Sequence, residues 1–225
     1  MPSWTIHCYI ANKISESLNI DKNTFLFANI MPDIDSGNYY THYYGTYICE
    51  NCKDEDLPDI DRFLNVYKDK LSNPLILGYY CHLLTDFCFN NYAYSNKWLI
   101  ENGKTVGVYN ADGRKTYLGY HHRQEAKRKD FIRFDKDLDE NYNIVYPVYN
   151  ENIISNLKLL NPKFISADEI KPMLNKMNYY LEKGKGITYD YSIFTNKELM
   201  DLTNNTIEFI KEKLNDLELN KKIRK

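Results

Sequence analysis

The chain has 225 residues, of which 43% are hydrophobic and 27% charged, a composition typical of one soluble globular domain. A net charge of −2, without a basic stripe interleaved with aromatic residues, argues against a nucleic-acid-binding surface. No run of 18 apolar residues is present, which excludes a membrane-spanning helix. The N-terminus lacks the pattern of a signal peptide, so we expect a cytoplasmic protein with reduced cysteines.

Helical periodicity dominates the first part of the chain. Apolar residues recur at spacings of three and four over residues 3–18, 21–30 and 60–71, which predicts three helices. The second of these ends at the turn-forming sequence MPDIDSGN. A fourth helix, over residues 73–90, begins with a proline at a first-turn position and is apolar nearly all round. We expect this fourth helix to be buried at the centre of the fold.

The middle of the chain is more polar and mixes element types. Asp112-Gly113 lies between short β-favouring runs within residues 101–119, which predicts a hairpin. A charged helix is expected over residues 119–134, followed by a polar, tyrosine-rich loop as far as Pro147.

Two capping boxes indicate further helices toward the C-terminus. The sequences SADE at 166–169 and TNKE at 195–198 predict helices that run to Lys183 and past Leu214, respectively. We therefore predict an all-α fold, a single-domain multi-helix bundle that spans residues 1–225.

The histidines occur together with carboxylates. His82 and Asp86 are four residues apart on the apolar helix, so both side chains point to one side, and His121 and Glu125 repeat that spacing. Further candidates lie elsewhere in the N-terminal half: His7, Asp33 and His42. A mixed imidazole and carboxylate set suits zinc, or manganese or iron if oxygen ligands dominate. The pattern predicts a metal cleft between the helices.

The order of these motifs resembles that of the zinc-dependent phospholipase C family, which shares its fold with fungal zinc-dependent single-strand nucleases. The resemblance covers roughly residues 1–130, and its most specific part is HxxxD on a buried helix followed by HxxxE. The matching residues are His7, Asp33 in PDID, His42 in TH, His82 and Asp86 in CHLLTD, and His121 and Glu125 in HHRQE.

The resemblance implies up to three zinc ions in a cleft. One metal would be held by Asp33, His42, His82 and Asp86, with Asp86 able to bridge, and His121 and Glu125 would form part of a second site. His7 would belong to a third site. The chain departs from the family pattern after Asp86, where a further histidine is expected and Asn90 or Tyr92 stands instead, and Trp4 is not at position 1.

The implied function is hydrolysis of a phosphoester or phosphodiester by a metal-activated water. Asp33 is the candidate general base, with Asp35 as its rival, and His122 is an alternative to His121 as a ligand. The substrate would be a phosphoester small molecule or a phospholipid headgroup. Tyrosines around His42 are candidates to line the cleft, by stacking or cation–π contact: Tyr39, Tyr40, Tyr43 and Tyr44.

Two other interpretations remain open, and a third is disfavoured. The protein could be a non-catalytic helical protein whose metal site is structural or partly decayed. The sequence CENC at 49–52 has the spacing of a metal or redox site, although a second such pair is missing nearby and a plain loop is the alternative. An HD-type phosphohydrolase is disfavoured because no adjacent His-Asp pair occurs.

Overall fold

The structure is a computed structural model that describes residues 2–33, 41–44, 47–49, 52–148, 153, 157, 159–160, 167–184 and 189–217. Several residues singled out in the sequence lie outside this part of the chain: Asp35, Gly37, Tyr39, Tyr40 and Ser166. The backbones of Cys49 and Cys52 are described and oppose each other in a β-ladder, but their side chains are not.

The described part of the chain is mostly helical, as predicted. The helices are α1 (Trp4–Ser15), α2 (Lys22–Ala28), α3 (Ile60–Tyr67), α4 (Pro74–Asn96), α5 (Tyr120–Asn141), α6 (Ala167–Gly184) and α7 (Asn196–Asp216). Side chains that accept backbone N–H groups cap the starts of five of them: Ser3, Asp21, Asp59, Asn73 and Thr195. None of the described helices combines the length and the apolar character needed to cross a membrane.

The description all-α is too narrow, because five short strands in the described residues form two antiparallel sheets. The strands are β1 (Tyr47–Cys49), β2 (Cys52–Leu57), β3 (Trp98–Glu101), β4 (Lys104–Tyr109) and β5 (Lys115–Tyr117). The predicted hairpin is confirmed as β4–β5, and Gly113 in its turn has a positive φ of 82°, which glycine adopts without steric cost. The hairpin is extended by β3 into a three-stranded sheet.

The prediction of a loop from residue 134 to Pro147 is wrong in its first half, because α5 continues to Asn141. Phe131, Phe134 and Leu138 are buried along one face of this helix. Their spacing of three and four residues supplies the apolar stripe that keeps the chain helical although most of its residues are charged.

Helix α4 lies at the centre of the molecule, as its apolar sequence predicts. It packs against α2, α3 and α7, and most of its residues are buried. The approach to α2 is close at Gly78, where an added Cβ would meet the carbonyl oxygen of Phe25 and lie 2.6 Å from the Cβ of Ala28. This contact fixes α2 against the second turn of α4, one turn before His82.

Candidate metal centre

His82 and Asp86 lie on α4 with no solvent exposure. The Nδ1 atom of His82 is 2.8 Å from the backbone carbonyl oxygen of Asn29, at the end of α2, and so must donate its hydrogen there. The Nε2 atom then carries the lone pair in the neutral ring, and it lies 3.4 Å from Oδ2 of Asp86. The contact with Asn29 therefore orients a nitrogen of the kind that binds metals toward the carboxylate.

His42 is oriented in the same way by a different segment. The hydroxyl of Thr41 donates to the carbonyl of Pro32 at 3.0 Å, so its oxygen accepts the Nδ1 hydrogen of His42 at 3.1 Å. The hydroxyl of Tyr79 on α4 donates to the carbonyl of Thr41 and holds this turn in place. Nε2 of His42 is consequently directed to the interior, 3.2 Å from Oδ1 of Asp33.

The inward atoms form a compact group. Nε2 of His42 lies 3.2 Å from Nε2 of His82 and 3.5 Å from Oδ2 of Asp86. Ligand atoms about 2.05 Å from a tetrahedral zinc are separated by roughly 3.3 Å. The observed separations match that spacing, and nitrogen lone pairs and carboxylate oxygens at such distances repel one another unless a proton or a cation lies between them.

His7, on α1, completes what we call the His/Asp cluster: His7, Asp33, His42, His82 and Asp86. Its ring stacks on that of His82 with a centroid distance of 4.2 Å, and its Nε2 lies 3.4 Å from Oδ1 of Asp86. Neither ring nitrogen of His7 and neither carboxylate oxygen of Asp86 has a hydrogen-bond partner. Since leaving such groups buried and unsatisfied costs about 1–3 kcal/mol each, the cluster is built for an additional polar or charged partner.

The electrostatics of the cluster point the same way. Burial would raise the pKa of Asp86, but the charge of His82 and the contact with His7 hold it well below its usual value. Burial lowers the pKa of His7, and positive charge on His82 lowers it further. His82 itself has a raised pKa, because Asp86 and Asp33 outweigh its desolvation. The cluster thus buries two carboxylates among three imidazoles, and one divalent cation would balance the charge of both carboxylates.

The cluster can therefore hold a metal ion. Two sets of three ligand atoms lie within 4.8 Å of one another, one from His7, Asp33 and His82 and the other from His42, His82 and Asp86. The residues fit such an ion, because imidazole nitrogens and carboxylate oxygens converge and several of them lack other partners.

The edge of the cluster lies at Asp33 and Tyr44. The side chain of Asp33 is 8% exposed, whereas those of His7, His82 and Asp86 are fully covered. Tyr44 stacks on His42 with a centroid distance of 5.4 Å, and its hydroxyl accepts a hydrogen bond from Asn90 at 3.4 Å. Within the described residues, Asp33 is thus the member of the cluster with the most exposed side chain, and Tyr44 covers His42.

The position of the expected extra histidine is also resolved. Asn90 follows Asp86 by one helical turn, is buried and contacts Tyr44 rather than ligand nitrogens. Tyr92 packs instead against Phe194, with ring centroids 6.4 Å apart. Asn90 therefore occupies the wall of the cluster, and Tyr92 does not belong to it.

His121 and Glu125 are not brought to the cluster. Both are exposed on the first turns of α5, as is His122. Glu125 pairs with Lys129 at 2.8 Å, and the ring of His121 lies edge-on to Tyr120. The second metal site that the resemblance implied is therefore not assembled by these residues, which occupy a solvated helix face.

Two residues that support the cluster were missed in the sequence. Asn29 provides the carbonyl that orients His82, and Thr41 provides the hydroxyl that orients His42. Thr41 could have been suspected because it directly precedes a candidate ligand. Asn29 carried a weaker signal, a polar residue closing the apolar sequence FLFA.

Comparisons with known proteins identify no relative. No protein-family model, no curated protein and no solved structure matches the chain.

Proposed function

We propose that the protein is a metal-dependent hydrolase of phosphoester or phosphodiester bonds, similar to phospholipase C, with zinc at the His/Asp cluster. The observation that carries the proposal is the convergence of Nε2 of His42, Nε2 of His82 and Oδ2 of Asp86, 3.2–3.5 Å apart, around buried carboxylate oxygens without hydrogen bonds. Mixed imidazole and carboxylate sets of this kind serve hydrolytic zinc sites that keep one position open for water.

Zinc in such a site lowers the pKa of a bound water and polarises a phosphoryl oxygen. Asp33 would be the base toward such a water, since it adjoins His42 and its side chain is 8% exposed whereas that of His42 is 1% exposed. Burial would raise the pKa of Asp33, but its contact with His42 and the charge of His82 lower it. Asp33 is therefore ionised at neutral pH, as a base or a ligand must be.

The metal is proposed as zinc, with manganese or iron as the oxygen-rich alternatives. Metal analysis of protein purified without added metal, followed by titration of the chelated protein with each ion, decides between them. The proposal expects one to three equivalents of zinc, removed by a strong chelator. A chelated protein that takes up none of these ions contradicts it.

The test of activity is a screen of phosphoesters with the zinc-loaded protein, including a bis-aryl phosphodiester and a phospholipid headgroup ester. We expect hydrolysis that is lost on chelation and in His82→Ala but kept in His121→Ala, a matched histidine removed from exposed α5. Hydrolysis that persists undiminished in His82→Ala would show that another site does the chemistry.

A structural metal site is the second candidate, and the burial of the cluster favours it. Among the described residues, His7, His82 and Asp86 have no exposed surface that a substrate could contact. One tightly held ion without turnover of any phosphoester would support this alternative. Turnover that depends on the metal would support the hydrolase.

A further inference from the structure

The three histidines of the His/Asp cluster differ in how they are oriented. His82 donates its Nδ1 hydrogen to the carbonyl oxygen of Asn29, and His42 donates its Nδ1 hydrogen to the hydroxyl oxygen of Thr41. In both, Nε2 is turned inward. His7 also directs Nε2 inward, 3.4 Å from Oδ1 of Asp86, but its Nδ1 has no acceptor.

Asn29 offers an oxygen that has no other role. Asn29 is fully buried, and both Oδ1 and Nδ2 of its side chain lack hydrogen-bond partners. A buried amide left in that state is costly, and native proteins normally satisfy it. The unsatisfied acceptor of Asn29 and the unsatisfied ring nitrogen of His7 are complementary.

Asn29 and His7 both contact the ring of His82. The rings of His7 and His82 are nearly parallel, with an interplanar angle of 14° and a centroid distance of 4.2 Å. Both turn Nε2 toward Asp86. Asn29 lies against the edge of this stack, because its backbone oxygen is 2.8 Å from Nδ1 of His82.

We propose that Asn29 is a positioning residue for the metal centre, whose side-chain oxygen accepts the Nδ1 hydrogen of His7, by a rotation of the amide or through one water. The inference rests on the proposed metal site. Asn29 then holds two ligands, His82 through its main chain and His7 through its side chain. Such partners of ligating histidines fix the ring and raise the basicity of the ligating nitrogen.

The test compares zinc affinity in the full-length wild type, Asn29→Leu and Asn29→Asp. Leucine is similar in size and keeps the main-chain carbonyl for His82, so only the acceptor for His7 is lost. We expect zinc affinity to fall by about 10- to 100-fold in Asn29→Leu, the usual effect of removing such a partner. Aspartate supplies a stronger, charged acceptor and should keep the affinity at or above that of the wild type.

A second readout separates positioning from a general structural effect. In NMR spectra of the zinc-loaded protein, the slowly exchanging Nδ1 hydrogen of His7 should disappear in Asn29→Leu, while that of His82 remains as an internal control. Asn12→Leu removes another buried amide, which bonds to the carbonyls of Cys8 and Val145. This control should lower stability and leave zinc affinity unchanged.

The outcomes are distinguishable. If Asn29→Leu keeps its zinc affinity and both Nδ1 hydrogens, the role of Asn29 is overturned but the metal site is not. If Asn29→Leu does not fold, a tenfold loss of zinc affinity in Asn29→Asp overturns that role instead. A wild type that binds no zinc overturns the proposed metal site and the positioning role with it. Absence of hydrolysis by a zinc-binding wild type counts only against the proposed enzyme.

Discussion

Two pairs with the same spacing behave in opposite ways in this molecule. His82 and Asp86 on α4 have no exposed surface and join three further ligand candidates, whereas His121 and Glu125 on α5 are exposed. Both pairs place an imidazole and a carboxylate on one side of a helix. The surroundings decide the outcome: α4 reads YYCHLLTDFCF, and α5 begins YHHRQEAKRKD. The spacing places an imidazole and a carboxylate side by side, but an apolar neighbourhood is what buries them.

The largest expected difference between the two pairs is in zinc affinity. His82→Ala removes a nitrogen at the centre of the cluster, so we expect a loss of more than about 1,000-fold, exceeding the effect of losing an outer partner. His121→Ala should leave affinity unchanged. Competition with a chromophoric chelator measures both. Equal losses in the two variants would mean that α5 contributes to the site after all.

The two carboxylates, Asp86 and Glu125, should differ in how much they contribute to the stabilisation of the folded protein by zinc. Zinc at about 100 times its dissociation constant stabilises a folded protein by about 2.7 kcal/mol. We expect this gain in the wild type and in Glu125→Gln, and its loss in Asp86→Asn, because Asp86 contacts His7, His42 and His82. Urea unfolding with and without zinc measures the gain. An undiminished gain in Asp86→Asn would place the ion elsewhere.

The fold could be predicted where one local signal was strong. The periodic apolar residues of α1 and α3, the proline that opens α4 and the capping box of α7 each marked a helix that the structure contains. The strands β1 and β2 were missed, because β2 has the sequence CKDEDL, which lacks the alternation of a half-buried strand. Their pairing depends on contacts that the local sequence does not express.

The site could be predicted from residue type and order, but only in part. Asp33 and His42 were grouped with the α4 pair, and the structure brings them together, since each is polar within an apolar or turn-forming segment. His7 was assigned to a third site, whereas in the structure it lies in the same cluster, against His82 and Asp86. The position of His121 could not be predicted, because the side of α5 that faces the core is set by Phe131, Phe134 and Leu138, about three to five turns later. Asn29 orients His82 through its main-chain carbonyl, a contact that the identity of the residue indicates only weakly.

Each of the two His-carboxylate pairs has a glycine shortly before it in the chain: Gly78 before His82 and Gly119 before His121. An alanine Cβ at Gly78 would meet the carbonyl oxygen of Phe25 and the Cβ of Ala28, so α2 must move away from α4. We expect Gly78→Ala to destabilise the fold by about 2 kcal/mol and also to weaken zinc binding, because Asn29 moves with α2. Thermal unfolding and zinc titration measure the two effects.

Gly119 is the matched control. It precedes α5, and an added Cβ there has no neighbour within 4 Å. Gly119→Ala should cost about 0.5 kcal/mol, since alanine is a poorer N-cap than glycine, and should leave zinc binding intact. A Gly78→Ala variant as stable as Gly119→Ala would show that the packing of α2 on α4 relaxes without cost.

The smallest expected effect is a change of stability with pH that involves the later half of α5. This half packs against α1, whereas the start of α5 is exposed. Asp135 accepts a hydrogen bond from Ser3, the N-cap of α1, and burial together with nearby Asp139 raises its pKa to about 8. An aspartate in the unfolded chain has a pKa of about 3.9, so the folded state binds more protons between these values. The stability that Asp135 contributes is complete below the lower value and declines as pH rises toward 8.

Between pH 5 and pH 8, the free energy of unfolding of the wild type should therefore fall by about 1–2 kcal/mol relative to that of Asp135→Asn. This is less than the full pKa difference implies, because the side chain of Asp135 is partly exposed. Urea unfolding of both proteins at the two pH values measures it, and the cluster titrates alike in both. A difference that does not change with pH would mean that Asp135 is ionised in the fold. The contact between α5 and α1 would then hold a charge beside the N-terminus of the helix that carries His7, where a negative charge is favoured.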